Sequence, residues 1–155
     1  MDARLLATKV RIPPAPHDLI ARQQLIAALE LGISTHRLTV VSAPAGYGKT
    51  TLLADWARSS SQRVAWVALS ALENAPDRFL RYFLRAWEAV DPAIGESPPA
   101  ILLGAMMPDF DAVLAGFVNA AGETPDPLVF VLDDYHLIDD STIQSALAFL
   151  IAHFP

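Results

Sequence analysis

The spacing of apolar and polar positions changes several times along the chain, and each change marks an element. "IPPAP", Ile12 to Pro16, is a stiff extended lead-in, because proline bars helix and restricts the residue before it. Asp18 is then placed to cap a helix running to about Leu31 and ending near Gly32. The β-branched run Arg37 to Ser42, "RLTVVS", predicts a strand. Lys49 to about Ser59 predicts a helix with Leu52, Leu53, Trp56 and Ala57 on one face. Val64 to Leu69 reads as a second strand. Arg78 to Val90 reads as a helix apolar on more than half its circumference, hence packed on two sides.

Four prolines make residues 91–108 the expected irregular region. Phe110, Val113, Leu114, Phe117, Val118 and Ala121 then follow helical spacing, with Asp109 as the cap. Leu128 to Leu132 is an unbroken apolar run, the pattern of a strand covered on both faces in a parallel sheet. Ser141 and Gln144 have capping-box spacing at the start of a last helix. Its stripe is Ile143, Ala146, Leu147, Leu150, Ile151 and Phe154. Trp56, Trp66 and Trp87 fall on apolar stripes and read as core. Strands alternating with helices predict an α/β fold with a mostly parallel sheet, whose ligands sit beyond the carboxyl ends of the strands.

Composition narrows the class. The 155 residues suit one domain, 53% of them are hydrophobic, and mean hydropathy is +0.34. No apolar run approaches the roughly 20 residues of a membrane-spanning helix. The start, "MDARLLATKVRIPP", carries charges throughout and lacks a signal peptide's apolar centre, so a cytoplasmic location is expected. With no cysteine, disulfides and thiolate metal sites are excluded. Net charge is −6, with eight Lys/Arg against four Asp/Glu in residues 1–63 and three against thirteen in residues 64–155. Such a chain is a poor bulk binder of nucleic acid or anionic membrane, and neither is expected as a partner.

A compact anion is another matter. "APAGYGKT", Ala43 to Thr50, follows the spacing G-x-x-x-x-G-K-[ST], with Ala43 in the first glycine's place. Backbone N–H groups of such a loop turn inward around a phosphate, and Gly46 and Gly48 permit the unusual dihedrals and close approach this needs. The helix beginning at Lys49 points its positive end at the same anion. Lys49 would reach the β- and γ-phosphates and Thr50 would ligate Mg²⁺. The expected nucleotide contacts are Ala43, Pro44, Ala45, Gly46, Tyr47, Gly48, Lys49, Thr50 and Thr51, with Tyr47 shielding or packing the loop.

"LVFVLDD" supplies the second half: apolar strand, then an acid at its carboxyl end, the Walker B arrangement. Asp133 would hold Mg²⁺ through water. Asp134 either orients or deprotonates an attacking water, or is a solvated turn acid or helix cap. Asp139 and Asp140 read as helix-start charges. His136 reads as structural, with γ-phosphate sensing the minority reading, and Arg78, Arg81 and Arg85 as a solvated stripe, with phosphate contact the weaker option. The guanine-reading N-K-x-D is absent, no D-x-x-G follows the strand, and nothing resembles the transporter signature L-S-G-G-Q. An acid directly after Asp133 favours the P-loop proteins that hydrolyse ATP with an added carboxylate, which points to ATP.

The segments "LLATKVRIPP", "LIARQQLIAAL", "SAPAGYGKTTLLADW", "VAWVAL", "RFLRYFLRA" and "LVFVLDDYHLI" occur in the order and spacing of one group. The sequence resembles the nucleotide-binding domain of the large ATP-binding LuxR-type transcriptional regulators, part of the signal-transduction ATPases called STAND. The resemblance covers essentially the whole chain. It implies a P-loop NTPase fold, with residues 1–17 a lead-in and 18–155 a partial nucleotide-binding domain. It further implies an ATP/ADP switch with slow Mg²⁺-dependent hydrolysis, and self-association or downstream regulatory domains as partners. "LIAR" matches the adenine-contacting segment of relatives, so Ile20 and Arg22 are implied lining residues. Ser70 stands where many relatives have Asp. The resemblance also implies a further strand between the P-loop strand and the Walker B strand, followed by sensor and helix-turn-helix regions. None of these precedes Pro155, so a truncated product or partial domain is expected. Two other readings stand beside it: a P-loop metabolite or nucleotide kinase, and a remnant that binds nothing.

Overall fold

Residues 5–16, 22–105, 108–124 and 126–155 are described by a computed structural model of the chain. Within them lie helices α1 (Gln23–Thr35) and α2 (Lys49–Ser59), strand β1 (Arg63–Ala68) and helices α3 (Pro76–Glu88), α4 (Pro98–Leu103) and α5 (Phe110–Glu123). Strand β2 (Leu128–Asp133) and helix α6 (Ser141–His153) complete the order. Short 3₁₀ turns occur at Ala7–Val10, Ala71–Glu73, Pro92–Glu96 and Tyr135–Leu137, the first within the expected extended lead-in. Chain contacts divide the molecule into two units. One takes Met1–Arg11 with Arg63–Pro155, and the other is Ile12–Gln62.

In the larger unit β1 and β2 pair in parallel, from Arg63 opposite Leu128 to Ala68 opposite Asp133. The Leu69 amide donates to the Asp133 carbonyl at 3.0 Å and carries the ladder to the carboxyl end. Parallel pairing requires a long crossover, here supplied by α3, α4 and α5. Helix α3 buries Phe79, Leu80, Tyr82, Phe83, Leu84, Ala86 and Trp87, which is the two-sided packing its sequence predicts. Phe83 stacks on Phe130 of β2 at 4.0 Å between ring centroids and meets Phe117 of α5 edge-on at 5.3 Å. Trp87 packs against Phe117, Phe130 and Phe154, so one aromatic cluster joins α3, α5, β2 and the end of α6.

Two expectations are corrected in this unit. The proline-rich stretch 91–108 is not wholly irregular, because Pro92 opens a 3₁₀ turn and Pro98 opens α4. At a first helical position proline's missing N–H leaves no bond unmade. The cap of α6 is Asp140, whose carboxylate accepts from the Thr142 and Ile143 amides at 2.9 and 3.0 Å, and not the Ser141 of the capping-box spacing. Asp109 caps α5 as expected, accepting from the amides of Asp111 and Ala112.

The smaller unit departs further from expectation. Asp18 lies outside the described residues. Helix α1 begins at Gln23 and runs through Gly32 to Thr35. Gly32 serves for close approach, since a Cβ there would stand 3.0 Å from the Thr39 hydroxyl. The Trp56 indole N–H of α2 donates to the Glu30 carboxylate of α1, tying the two helices. The expected strand at residues 37–42 does not form. A strand's polar backbone groups need a neighbouring strand, and among the described residues β1 and β2 pair only with each other. Leu38 and Val40, 57% and 75% exposed, lie on the surface of a segment whose sequence reads as core.

Candidate functional site

Residues 43–50 form the phosphate-loop shape from local chemistry. Gly46 and Gly48 have φ of +83° and +77°, left-handed conformations that cost an ordinary L-residue roughly 1–2 kcal/mol. Gly48 is the N-terminal cap residue of α2, and its carbonyl accepts from the Leu52 amide at 2.9 Å. Lys49 and Thr50 therefore occupy the first turn of α2, where the helix dipole favours an anion. The Lys49 ammonium crosses the loop and donates to the carbonyls of Ala43 at 2.7 Å and Pro44 at 3.1 Å. Thr51 follows in the same turn, partly buried. The Tyr47 ring is 64% exposed.

Arg22 joins this loop directly. Its Nη1 donates to the Tyr47 carbonyl at 2.9 Å, and the guanidinium lies 3.6–3.8 Å from where a Cβ on Gly48 would stand. Twenty-five residues apart in sequence, Arg22 and Tyr47 thus meet at the crest of the loop. Ile20, the other expected lining residue, lies outside the described residues.

Asp133 and Asp134 stand at the carboxyl end of β2 in the other unit. Asp133 is buried, and Asp134 is the described non-glycine residue with positive φ, at 58°. Asp tolerates that conformation better than most residues, and held strain of this kind clusters at functional positions. His136 Nδ1 lies 3.9 Å from Asp134 Oδ1 with both side chains well exposed, a pair that contributes little. Burial raises the Tyr135 phenol. Among the described residues no group of three or more His, Cys, Asp or Glu forms a metal cage. A single buried carboxylate fits Mg²⁺, which keeps its waters and takes one or two carboxylates beside phosphate oxygens.

Just past the carboxyl end of β1 lies a network the sequence reading missed. Glu73 is fully buried, and its carboxylate accepts from the Ser70 amide at 2.8 Å and the Ser70 hydroxyl at 2.7 Å. Arg78 Nε donates to it at 3.0 Å, and the Lys9 ammonium pairs with it as well. Burial alone would raise this carboxyl, but hydrogen bonds from Lys9, Ser70 and Arg78, with the Lys9 charge, hold it at about 2. The same bond raises Arg78. Ser70, where the resemblance leads one to expect Asp, therefore keeps a polar role. The signal was present as Ser-x-x-Glu spacing over 70–73, a capping box on a short turn. Arg81 and Arg85 pair with Asp77 and Glu88 on their own helix, so the arginine stripe is an ion-paired one.

A family model described as the AAA ATPase domain matches residues 19–155, nearly the whole chain. The chain belongs to this family. As an AAA ATPase domain it is a P-loop α/β protein with a parallel sheet flanked by helices. It is similar to the HTH-type transcriptional regulator MalT of Yersinia enterocolitica, at 33% identity over 151 residues. The MalT proteins of Serratia proteamaculans and Cronobacter sakazakii match over the same length at 32% and 31%. Each alignment covers 97% of this chain and 16% of the relative, so the chain spans about one sixth of those regulators. Among the described residues, no helix of this AAA ATPase domain is long and apolar enough to cross a membrane.

Proposed function

We propose that this chain is the nucleotide-binding switch module of a LuxR-type transcriptional regulator, holding ATP or ADP with Mg²⁺ and hydrolysing ATP slowly. The observation that carries the reading is the left-handed Gly46–Gly48 turn leading into α2 with Lys49 at its first position. In this reading the loop amides and Lys49 bind the phosphates, and Thr50 and Asp133 hold Mg²⁺. Arg22 steadies the loop crest beside the nucleotide, with Ile20 expected near the base. Asp134 accepts the proton of the attacking water. As the water oxygen bonds the γ-phosphorus, the bridging P–O bond breaks and ADP and phosphate leave. The charge balance of residues 64–155 and the regulator relatives support a module whose DNA contacts lie elsewhere in a longer protein. A kinase would want free arginines on a lid, whereas Arg78, Arg81 and Arg85 each engage a carboxylate.

The test is a thermal melt with and without Mg-ATP and Mg-ADP, beside Lys49→Ala. Ligand at 100-fold excess over Kd adds about 2.7 kcal/mol, a rise of roughly 5–10 °C at this size. The rise is expected in the unaltered chain and absent in Lys49→Ala. A Lys49→Ala variant that melts higher with ATP by the same amount removes the site assignment.

A further inference from the structure

Asn74, which no motif singles out, makes three hydrogen bonds across a sequence gap of more than sixty residues. Its side-chain amide N–H donates to the Leu137 carbonyl at 2.8 Å, while its Oδ1 accepts from the amides of Asp139 at 2.9 Å and Asp140 at 3.1 Å. All three partners lie in the connection between the acidic pair and α6. The amide's orientation follows from them, because two N–H groups face one end of the side chain and a carbonyl faces the other.

That connection is fixed at both ends. At its start the Asp133 carbonyl is taken into the β1–β2 ladder by the Leu69 amide, and Asp134 adopts its left-handed conformation. A 3₁₀ turn over Tyr135–Leu137 follows, closed by the Leu137 amide on the Asp134 carbonyl at 3.1 Å. At its far end Asn74 grips Leu137, Asp139 and Asp140, and Asp140 caps α6. Asn74 itself cannot drift, since the turn before it is anchored by buried Glu73 with Lys9, Ser70 and Arg78 around the carboxylate. A residue placed left-handed at the start of a seven-residue connection keeps its direction only if the other end is held, and Asn74 holds it.

We propose that Asn74 is the positioning residue for the Asp133–Asp134 pair, locking the connection that presents both carboxylates at the carboxyl end of β2. The inference rests on the nucleotide reading above, but makes a demand of its own. Only an amide satisfies the connection, because it offers a donor and an acceptor from one short side chain. Aspartate keeps the acceptor, loses the donor and adds a charge. Alanine keeps neither.

The test uses the whole chain with Asn74→Ala and Asn74→Asp, and with Asp109→Ala as a control that weakens α5 at a distance. Three quantities are read: ATP affinity in EDTA, the gain in affinity on adding Mg²⁺, and amide hydrogen exchange at Asp139 and Asp140. Asn74→Ala is expected to leave affinity in EDTA within twofold and to lower the Mg²⁺ gain at least fivefold. It should also speed exchange at both amides at least tenfold, with Asn74→Asp falling between and Asp109→Ala changing none of the three. Turnover of Mg-ATP should fall, and KM should rise by the factor lost from the Mg²⁺ gain, because slow hydrolysis makes KM equal to Kd. Should Asn74→Ala fail to fold, Asn74→Asp carries the same comparison. A full Mg²⁺ gain in the variants, or unchanged exchange, overturns the positioning role alone. Absence of any Mg²⁺ gain in the unaltered chain overturns it together with the nucleotide reading.

Discussion

Replacing Glu73 with glutamine tests whether the buried carboxylate stabilises the fold through its charge. Glutamine keeps the size and an acceptor but leaves Lys9 and Arg78 facing a neutral group. The carboxyl sits at about 2 against an ordinary 4.5, a difference equivalent to about 3 kcal/mol between its two protonation states. Because the folded-state value is depressed, this stabilisation is fully present above about pH 4.5 and is lost as pH falls through about 2. Glu73→Gln is therefore expected to lower unfolding free energy by about 3 kcal/mol at pH 7. By pH 3.5 the unaltered chain has lost about 1.4 kcal/mol of that increment, so the two proteins converge by the same amount. Urea unfolding followed by tryptophan fluorescence at pH 7, 5, 4 and 3.5 measures the gap, and carboxylates common to both proteins cancel in it. A gap that stays constant over this range refutes the assignment, since a loss of packing alone carries no proton.

The loop glycines make a paired prediction. Gly46→Ala meets no atom within 4 Å, and Gly48→Ala meets the Arg22 guanidinium at ordinary contact distance, so strain at positive φ is the shared cost. Each is expected to weaken Mg-ATP binding by about tenfold by calorimetry, following from roughly 1–2 kcal/mol of strain. A large difference between them would mean that Arg22, and not the backbone, sets the penalty. Asp140→Ala removes the cap of α6 and should cost about 1 kcal/mol, a fall in Tm of roughly 2–4 °C, with ATP affinity in EDTA unchanged.

What could be read from the sequence divides along the reach of the interactions. The start of α2 and the body of α3 follow from periodicity and turn chemistry within a dozen residues, and the sequence placed them closely. Asp109 as a cap was legible for the same reason. The cap of α6 was missed by one position because Asp139, Asp140 and Ser141 all suit the role, and geometry had to choose Asp140. The Ser-x-x-Glu spacing marks the turn at Glu73, but nothing in it says that Lys9 will meet the carboxylate. Asn74 is illegible in a stronger sense, because nothing about an isolated Asn says that residues 137–140 will meet it.

The contrast between residues 37–42 and the loop that follows sharpens the point. In the sequence both read as parts of one unit, strand into phosphate loop into helix. The loop keeps its shape although the segment before it has no ladder, because Gly46, Gly48 and the first turn of α2 satisfy one another locally. The segment 37–42 has strand composition, yet the property that makes a strand belongs to its neighbour. Leu38 and Val40 at the surface are thus the residues of a strand without a partner among those described. The conformation suited to an anion is encoded within about ten residues, whereas the sheet that would frame it is encoded in pairs. A motif match therefore carries the local geometry of a site with more authority than it carries the fold around it.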